Sequence, residues 1–167
     1  IAMQSGFAPQ YVEEHGEHSP GKSFFSYAFA HQGVHGVMNG LSTADFLWNI
    51  QCSVILQLAD QGPCVIVGRC ADYVLKGRKD VVRVFVHADD DFCLEQAMLV
   101  NSLSASAVKK KIAEVDEYHA KYYKYHTGKD WYDARNYDLS LNSGVLGFEG
   151  TMNEILNYMD VRNNTAD

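Results

Sequence analysis

The sequence predicts an α/β fold in which a parallel sheet is flanked by helices. Strand-like and helix-like segments alternate after residue 43, which is typical of this class. Two short apolar runs, at 64–67 and 81–86, are typical of strands buried on both faces of a parallel sheet, although Arg83 lies inside the second. An alternating pattern at 137–141 predicts a third strand.

Apolar residues at helical spacing predict the helices of this fold. The first helix is predicted to begin at a cap, Ser42 or Thr43, and to end at 62–63. Its apolar face recurs every three or four residues and consists of Leu47, Ile50, Val54 and Leu58. Further helices are predicted at 71–76, at 90–101 behind a cap at Asp89, from Ser104 to Gly128, and around 152–159.

Composition and charge narrow the classes of function. The chain has 167 residues, which suits one domain, and 47% of them are hydrophobic. Its formal net charge of −7 argues against binding to nucleic acid, which favours a basic surface. No stretch approaches the roughly 18 apolar residues of a membrane helix, so we expect no membrane partner. The oligomeric state cannot be predicted from these features.

Cysteine usage predicts a reducing compartment. The 4 cysteines form no Cys-x-x-Cys pair and have no ligand spacing typical of zinc, so we predict no metal site from them. No charged and then apolar leader comes before the fold, which predicts a cytoplasmic protein.

Residues 16–23 match the phosphate-loop pattern Gly-x-x-x-x-Gly-Lys-Ser. That motif works only where a buried strand enters the loop and a helix leaves it, because backbone N–H groups must surround the phosphates. Residues 11–15 are polar and helix-like instead, and Glu13, Glu14 and Glu17 would repel a triphosphate. We therefore interpret this match as coincidental.

Arg69 and Asp72 are the stronger candidates for ligand binding. Ligands of open parallel sheets bind beyond the carboxyl ends of the strands, and Arg69 directly follows the run 64–67 and a glycine. A guanidinium group can hold a phosphate through two hydrogen bonds. Asp72 could accept a hydrogen bond from a base amino group or a sugar hydroxyl. The alternative is that Arg69 and Asp72 form a surface ion pair with each other.

Three consecutive acids, Asp89, Asp90 and Asp91, follow the second predicted strand. Carboxylates at this position can bind a divalent cation. The alternative, which we favour, is a helix cap followed by two acids in a first turn, where the helix dipole stabilises negative charge.

A lysine-rich and tyrosine-rich segment spans 109–129 in an otherwise acidic chain. His119, Lys121 and Lys124 lie on or near one face of the predicted helix, where they could cover a polyanion as a mobile lid. The alternative is a solvated helix whose tyrosines pack on the core. The sequence leaves both open.

Five stretches taken together indicate a family. The two most specific are 68–75, which reads GRCADYVL, and 122–131, which follows the pattern YY-x-Y-x-TGK-x-W. The other three lie at 5–14, 83–88 and 136–143. In this order and spacing they resemble the bacterial cytidylate kinase-like family, a branch of the nucleoside monophosphate kinases with the P-loop NTPase fold.

The resemblance implies transfer of a phosphoryl group from ATP, with Mg²⁺, to a pyrimidine nucleoside monophosphate such as CMP or dCMP. The residues it implies for catalysis are Arg69, Lys121 and Lys124. Those it implies for substrate binding are Arg69, which would hold the acceptor phosphate, Asp72, which would help to read the base, and His119. Asn142 and Ser143 would lie in the loop that borders the adenine.

The resemblance also implies an internal organisation of one domain. Residues 1–61 would form a helical acceptor-side region, 62–108 and 132–167 an α/β core, and 109–131 a lid. The phosphate loop of the family and its strand would come before Ile1, so we expect residues 1–167 alone to have no kinase activity. Without that strand, 64–67 and 81–86 would either stay about 9–10 Å apart or pair directly.

The lid departs from the family pattern. Active relatives carry arginines just after the aspartate that matches Asp116, whereas this chain has Glu117, Tyr118 and His119. Replacing an arginine that holds a phosphate is not a neutral change. A catalytically inactive relative that binds a nucleotide or a partner therefore remains the alternative function.

Overall fold

The computed structural model describes residues 43–165, which form helices and a small parallel sheet. They divide into two compact units, residues 43–76 with 121–128 and residues 77–120 with 129–165. The five helices of this part are α1 (Thr43–Gln61), α2 (Ala71–Val74), α3 (Asp90–Val100), α4 (Ala105–Thr127) and α5 (Ser143–Asn164). The two strands are β1 (Val84–His87) and β2 (Leu139–Asn142), and a 3-10 turn covers Ala134–Asn136.

The first unit consists of helices. It contains α1, the short helix α2 and the last turns of α4. Its buried apolar side chains are Ala44, Leu47, Ile55, Cys70, Ala71, Leu75, Tyr122 and Tyr123. One fully polar side chain, Gln51, is buried among them. The buried stripe of α1 thus runs through 44, 47, 51 and 55, rather than through the predicted Ile50, Val54 and Leu58.

The second unit contains the sheet. β1 and β2 are parallel, with Val84 opposite Leu139 and His87 opposite Asn142. Arg83, just before β1, donates to both carboxylate oxygens of Asp138, through Nη2 over 2.6 Å and through Nε over 3.1 Å. This contact with Arg83 lowers the pKa of Asp138. The ion pair therefore fixes the register where the two strands begin.

Helix α5 is the last element of the second unit. Its chain bends at Gly147, where φ is +69°, a left-handed conformation that glycine adopts without strain. In its last turn, the Arg162 guanidinium donates to the carbonyl of Val81 over 2.6 Å and also to the carbonyl of Lys79. The end of α5 thereby holds the segment that leads into β1.

The strand predicted at 64–67 is not observed as a paired strand in the described part of the chain. The segment has no ladder partner among residues 43–165, and Val65 and Val67 are 93% and 87% exposed. A strand exists only where its backbone groups pair with a neighbour, and apolar composition alone does not supply one. Direct pairing of this segment with β1 is not observed.

The other two predicted strands are present at the predicted places, but both are shorter than predicted. The ladder of the second begins at Val84 rather than at 81, and that of the third begins at Leu139 rather than at 137. The second is not buried on both faces, since Val86 and His87 are exposed. The helix predicted at 71–76 ends earlier, at Val74.

The predicted apolar faces of the later helices are also only partly buried. Val108 and Tyr122 of α4 are buried as predicted, whereas Val115 is exposed. On α5, Met152 and Met159 are exposed although the pattern placed them on the apolar face. No helix within the described part of the chain is long and apolar enough to cross a membrane.

Candidate functional site

The turn at 68–72, here called the Arg69 turn, has an unusual backbone. Gly68, Arg69 and Cys70 have φ angles of +70°, +56° and +53°. Left-handed conformations are uncommon for residues with a side chain and cost roughly 1 kcal/mol each. In the described residues, Arg69 and Cys70 are the two non-glycine positions with a positive φ. A conformation of this kind persists only where surrounding contacts hold it.

Gln51 of helix α1 supplies one such contact. Its Nε2 donates to the carbonyl oxygen of Arg69 over 3.1 Å and lies 3.1 Å from the hydroxyl of Tyr122. Gln51 is 2% exposed, so both bonds are shielded from water. The side chain of Cys70, within the turn, is also buried. The Arg69 turn is thus held by a buried polar network.

Tyr123 supplies a second contact, at the other end of the turn. Its hydroxyl donates to Oδ2 of Asp72 over 2.6 Å, and its ring is buried. A short bond to a carboxylate is among the stronger neutral-to-charged hydrogen bonds in proteins. The backbone carbonyl of Tyr123 in turn accepts from the Thr127 hydroxyl over 2.7 Å.

The structure therefore brings Arg69 and Asp72 together with two consecutive tyrosines of helix α4. Arg69 is half-buried, and its Nη1 atom is buried. Sequence reasoning placed Arg69 and Asp72 here but gave no role to Gln51, Tyr122 or Tyr123. The signal for Gln51 was a polar residue four positions after Leu47 and four before Ile55, on the stripe that the helix buries.

The cationic residues of α4 lie on the surface. Lys121 and Lys124 are exposed, in the part of the helix that belongs to the first unit. Lys124 Nζ donates to the carbonyl of Gly128 over 3.0 Å, which places a positive charge at the end of the helix where the dipole favours it. Both lysines remain candidates for contact with phosphate.

His119 belongs to the second unit, where it contacts an aromatic cluster. Its ring meets the edge of Trp131 with the centroids 5.5 Å apart. Trp131 also packs against Phe85 of β1 at 5.6 Å, and Phe85 stacks on Tyr137 at 5.0 Å. The hydroxyl of Tyr137 donates to the carbonyl of Trp131 over 2.8 Å.

Asn142 and Ser143 form a different kind of turn, here called the Asn142 turn (142–145). Asn142 Oδ1 accepts from the backbone N–H of Gly144 over 2.9 Å and of Val145 over 3.3 Å, which caps helix α5. Ser143 is buried, and its hydroxyl donates to the carbonyl of His87 over 3.2 Å. A side chain at Gly144 would lie 3.1 Å from the capping oxygen.

The three acids at 89–91 start helix α3, as the favoured interpretation predicted. Asp89 occupies the cap position, with Asp90 and Asp91 in the first turn. The Asp89 side chain makes no capping hydrogen bond, so only its position matches the prediction. No group of three or more metal-ligating side chains is found in residues 43–165. The phosphate-loop pattern at 16–23 and the segment 5–14 lie outside the described residues.

His126, in the last turn of α4, lies in an aromatic stack. Its ring lies parallel to that of Trp48, with the centroids 4.1 Å apart, and Tyr122 packs against it at 4.4 Å. Burial lowers the pKa of His126 to about 4, against a smaller opposing effect of Asp45. The stacked ring is therefore neutral near pH 7.

Comparisons with known proteins place these features in a family. The model of the cytidylate kinase-like family matches residues 1–145. A crystal structure of an uncharacterized protein from Eubacterium ventriosum matches with a TM-score of 0.67 and 22% sequence identity, over 71% of this chain and 74% of that chain. At this identity the likeness shows a shared fold alone. No curated protein matches the chain.

Proposed function

Because the chain belongs to the cytidylate kinase-like family, we propose that it serves the ATP-dependent phosphorylation of a pyrimidine nucleoside monophosphate such as CMP or dCMP. The family supports a kinase-type function, and the finer statement rests on the Arg69 turn. An arginine held in a left-handed conformation by a buried network is costly to build, which favours a binding role. We further propose a P-loop NTPase fold and a cytoplasmic location.

In this proposal Arg69 and Asp72 bind the acceptor. The Arg69 guanidinium would hold the monophosphate through two hydrogen bonds, and Asp72 would accept a hydrogen bond from the base. A P–O bond then forms between an acceptor phosphate oxygen and the transferred phosphoryl group, while the bond to the leaving ADP oxygen breaks. Proteins accelerate such transfers mainly by positioning the reactants and neutralising charge.

The remaining candidates would act on the phosphates and on the nucleotide donor. Lys121 and Lys124 are exposed cations that would neutralise charge as the phosphoryl group moves, and His119 would contact the substrate from the lid. Asn142 and Ser143 would border the adenine. Mg²⁺ enters as the metal complex of ATP, and we assign none of residues 43–165 as its ligand.

A second function, binding without catalysis, is favoured by the composition of the lid. Where the resemblance implies arginines, Glu117 is exposed and His119 packs on the edge of Trp131. Neither a carboxylate nor an imidazole has the planar fork of donors with which a guanidinium holds a phosphate. This alternative predicts nucleotide binding with no turnover.

The experiment compares Arg69→Ala with wild type in the full-length gene product. We expect Arg69→Ala to weaken CMP binding about 10–100-fold in calorimetric titration, the loss typical of a charged contact, and to leave ATP binding within about twofold. Arg78→Ala is the matched control, because Arg78 pairs with Asp80 on the surface. Equal losses of CMP and ATP would show that Arg69 is structural.

A coupled assay of ATP consumption with CMP, dCMP and UMP then distinguishes the two functions. Turnover by the full-length gene product supports the kinase. Nucleotide binding without turnover supports the non-catalytic relative. Turnover by residues 1–167 alone would contradict the expectation that they are inactive by themselves.

A further inference from the structure

Tyr123 has no role in the proposed function, although its hydroxyl makes a short hydrogen bond to the Asp72 carboxylate. The donor and acceptor are 2.6 Å apart, and the tyrosine side chain is 4% exposed. A buried ring with two rotatable bonds holds its hydroxyl in one place. The bond occupies Oδ2 of Asp72 and leaves Oδ1 available to a second donor.

Asp72 depends on this partner because its own element is short. Helix α2 covers only Ala71–Val74, one turn, and a helix of that length has little stability of its own. Tyr123, by contrast, lies in the 23-residue helix α4 and is anchored by the Thr127 hydroxyl on its carbonyl. The orientation of the carboxylate is therefore set by α4 rather than by α2.

The neighbouring tyrosine makes a matching contact with the other end of the turn. The Tyr122 hydroxyl is bonded to Gln51, which in turn donates to the Arg69 carbonyl. Consecutive residues of a helix point about 100° apart, so two adjacent tyrosines can reach two different partners. Their two hydroxyls are thus connected to the two residues of the turn proposed to bind the acceptor.

We propose that Tyr123 is a positioning residue for specificity, which fixes the Asp72 carboxylate so that Oδ1 accepts from the amino group of the acceptor base. The inference rests on the proposed function. An ionised carboxylate only accepts hydrogen bonds, and the Tyr123 bond on Oδ2 fixes the direction in which Oδ1 accepts. It therefore favours a base with an amino group at that position over one with a carbonyl oxygen, and this preference weakens when the carboxylate can rotate.

Tyr123→Phe tests this role by removing one hydroxyl and keeping the ring. We expect affinity for CMP to fall about tenfold, the loss typical of a hydrogen bond to a charged group, and affinity for UMP to fall at most about twofold. The preference for CMP over UMP then falls at least about fivefold. Both affinities are measured by calorimetric titration of the full chain.

Tyr125→Phe is the matched control. Tyr125 lies on the same helix, is half-exposed, and contacts the His126 ring. We expect this variant to bind both nucleotides like wild type. In an Asp72→Asn background, Tyr123→Phe is expected to cause no further change in the preference, because the carboxylate it positions is gone.

The outcomes separate this inference from the function on which it rests. Equal loss of CMP and UMP in Tyr123→Phe, or no loss, overturns the positioning role while the proposed function stands. A wild-type chain that binds neither nucleotide overturns both. If Tyr123→Phe does not fold, wild-type protein labelled at the tyrosine ring carbons decides by NMR. CMP must then shift the Tyr123 signal more than UMP does, and equal shifts overturn the inference.

Discussion

The Arg69 turn and the Asn142 turn are both candidates for contact with nucleotides, yet different kinds of bond hold them. The bonds of the Arg69 turn come from far along the chain, 18 residues away for Gln51 and 51 for the bond between Tyr123 and Asp72. The capping bonds of the Asn142 turn come from two and three residues away. The first turn therefore exists only once α1 and α4 have packed, whereas the second forms with its own helix.

This difference determines which substitutions can change the geometry of each turn. A substitution on α1 or α4 can change the geometry of the Arg69 turn without touching Arg69 or Asp72. The Asn142 turn can be changed by residues within itself and by the His87 carbonyl below it. The following predictions test this contrast, from the largest expected effect to the smallest.

The largest effect is expected for Gln51→Met. The substitution keeps the volume but removes the donor to the Arg69 carbonyl and the partner of Tyr122, and leaves both groups buried without that bond. We expect a loss of about 2–3 kcal/mol in the free energy of unfolding, as measured by urea denaturation.

Gln61→Met is the control for this prediction. Gln61 is exposed at the end of the same helix, so the substitution should change stability by at most about 0.5 kcal/mol. If Gln51→Met is as mild as this control, the Arg69 turn is held by its own backbone and the contrast fails.

A moderate effect is expected from acid, through the stack of His126 on Trp48. The pKa of His126 is about 4 in the folded chain and about 6.5 when unfolded, so the unfolded chain takes up the proton first. Titration of His126 therefore does not change stability above about pH 6.5. Below that pH, the free energy of unfolding falls until about pH 4. We expect about 1–2 kcal/mol, because solvent screens a half-exposed ring.

His126→Phe tests the origin of this loss, because it keeps an aromatic ring against Trp48 and removes the proton site. The variant should lose less stability between pH 6.5 and 4 than wild type. Fluorescence of Trp48 in a Trp131→Phe background reports unfolding of this unit. An unchanged pH dependence in His126→Phe would contradict the assignment of this loss to His126.

The contrast also explains which features the sequence could predict. The start of α3 follows from residue types at neighbouring positions and was placed correctly. The cap at Asn142 is equally local but was not predicted, since the last helix was expected only around 152–159 and begins at Ser143. The Arg69 turn was located by a glycine and an arginine after an apolar run, but its partners were not. Gln51 is polar, and only the packed fold shows that it belongs to the buried face of α1.

The segment 64–67, predicted as a strand but without a ladder partner among residues 43–165, has the same physical origin. Composition reports how apolar a segment is, whereas a strand also needs a neighbour whose backbone groups face it. Val84–His87 has such a neighbour in β2 and forms a ladder, although its sequence is no more apolar. Pairing over long distances in sequence decides between the two, and a local pattern does not contain it.

The smallest effect is expected for Asn142→Ala, which removes the local cap. The backbone N–H groups of Gly144 and Val145 lose their acceptor, but Val145 is exposed and water can replace part of the bond. We expect a loss of about 1 kcal/mol, the usual value for a lost cap, and Asn142→Asp should retain most of the stability because its carboxylate accepts the same bonds. Combined with Gln51→Met, the losses should add to within about 0.5 kcal/mol, since the bonds described for the two turns come from different residues. A clear departure from additivity in urea denaturation would show that the two turns are coupled, and that the local cap depends on the distant network after all.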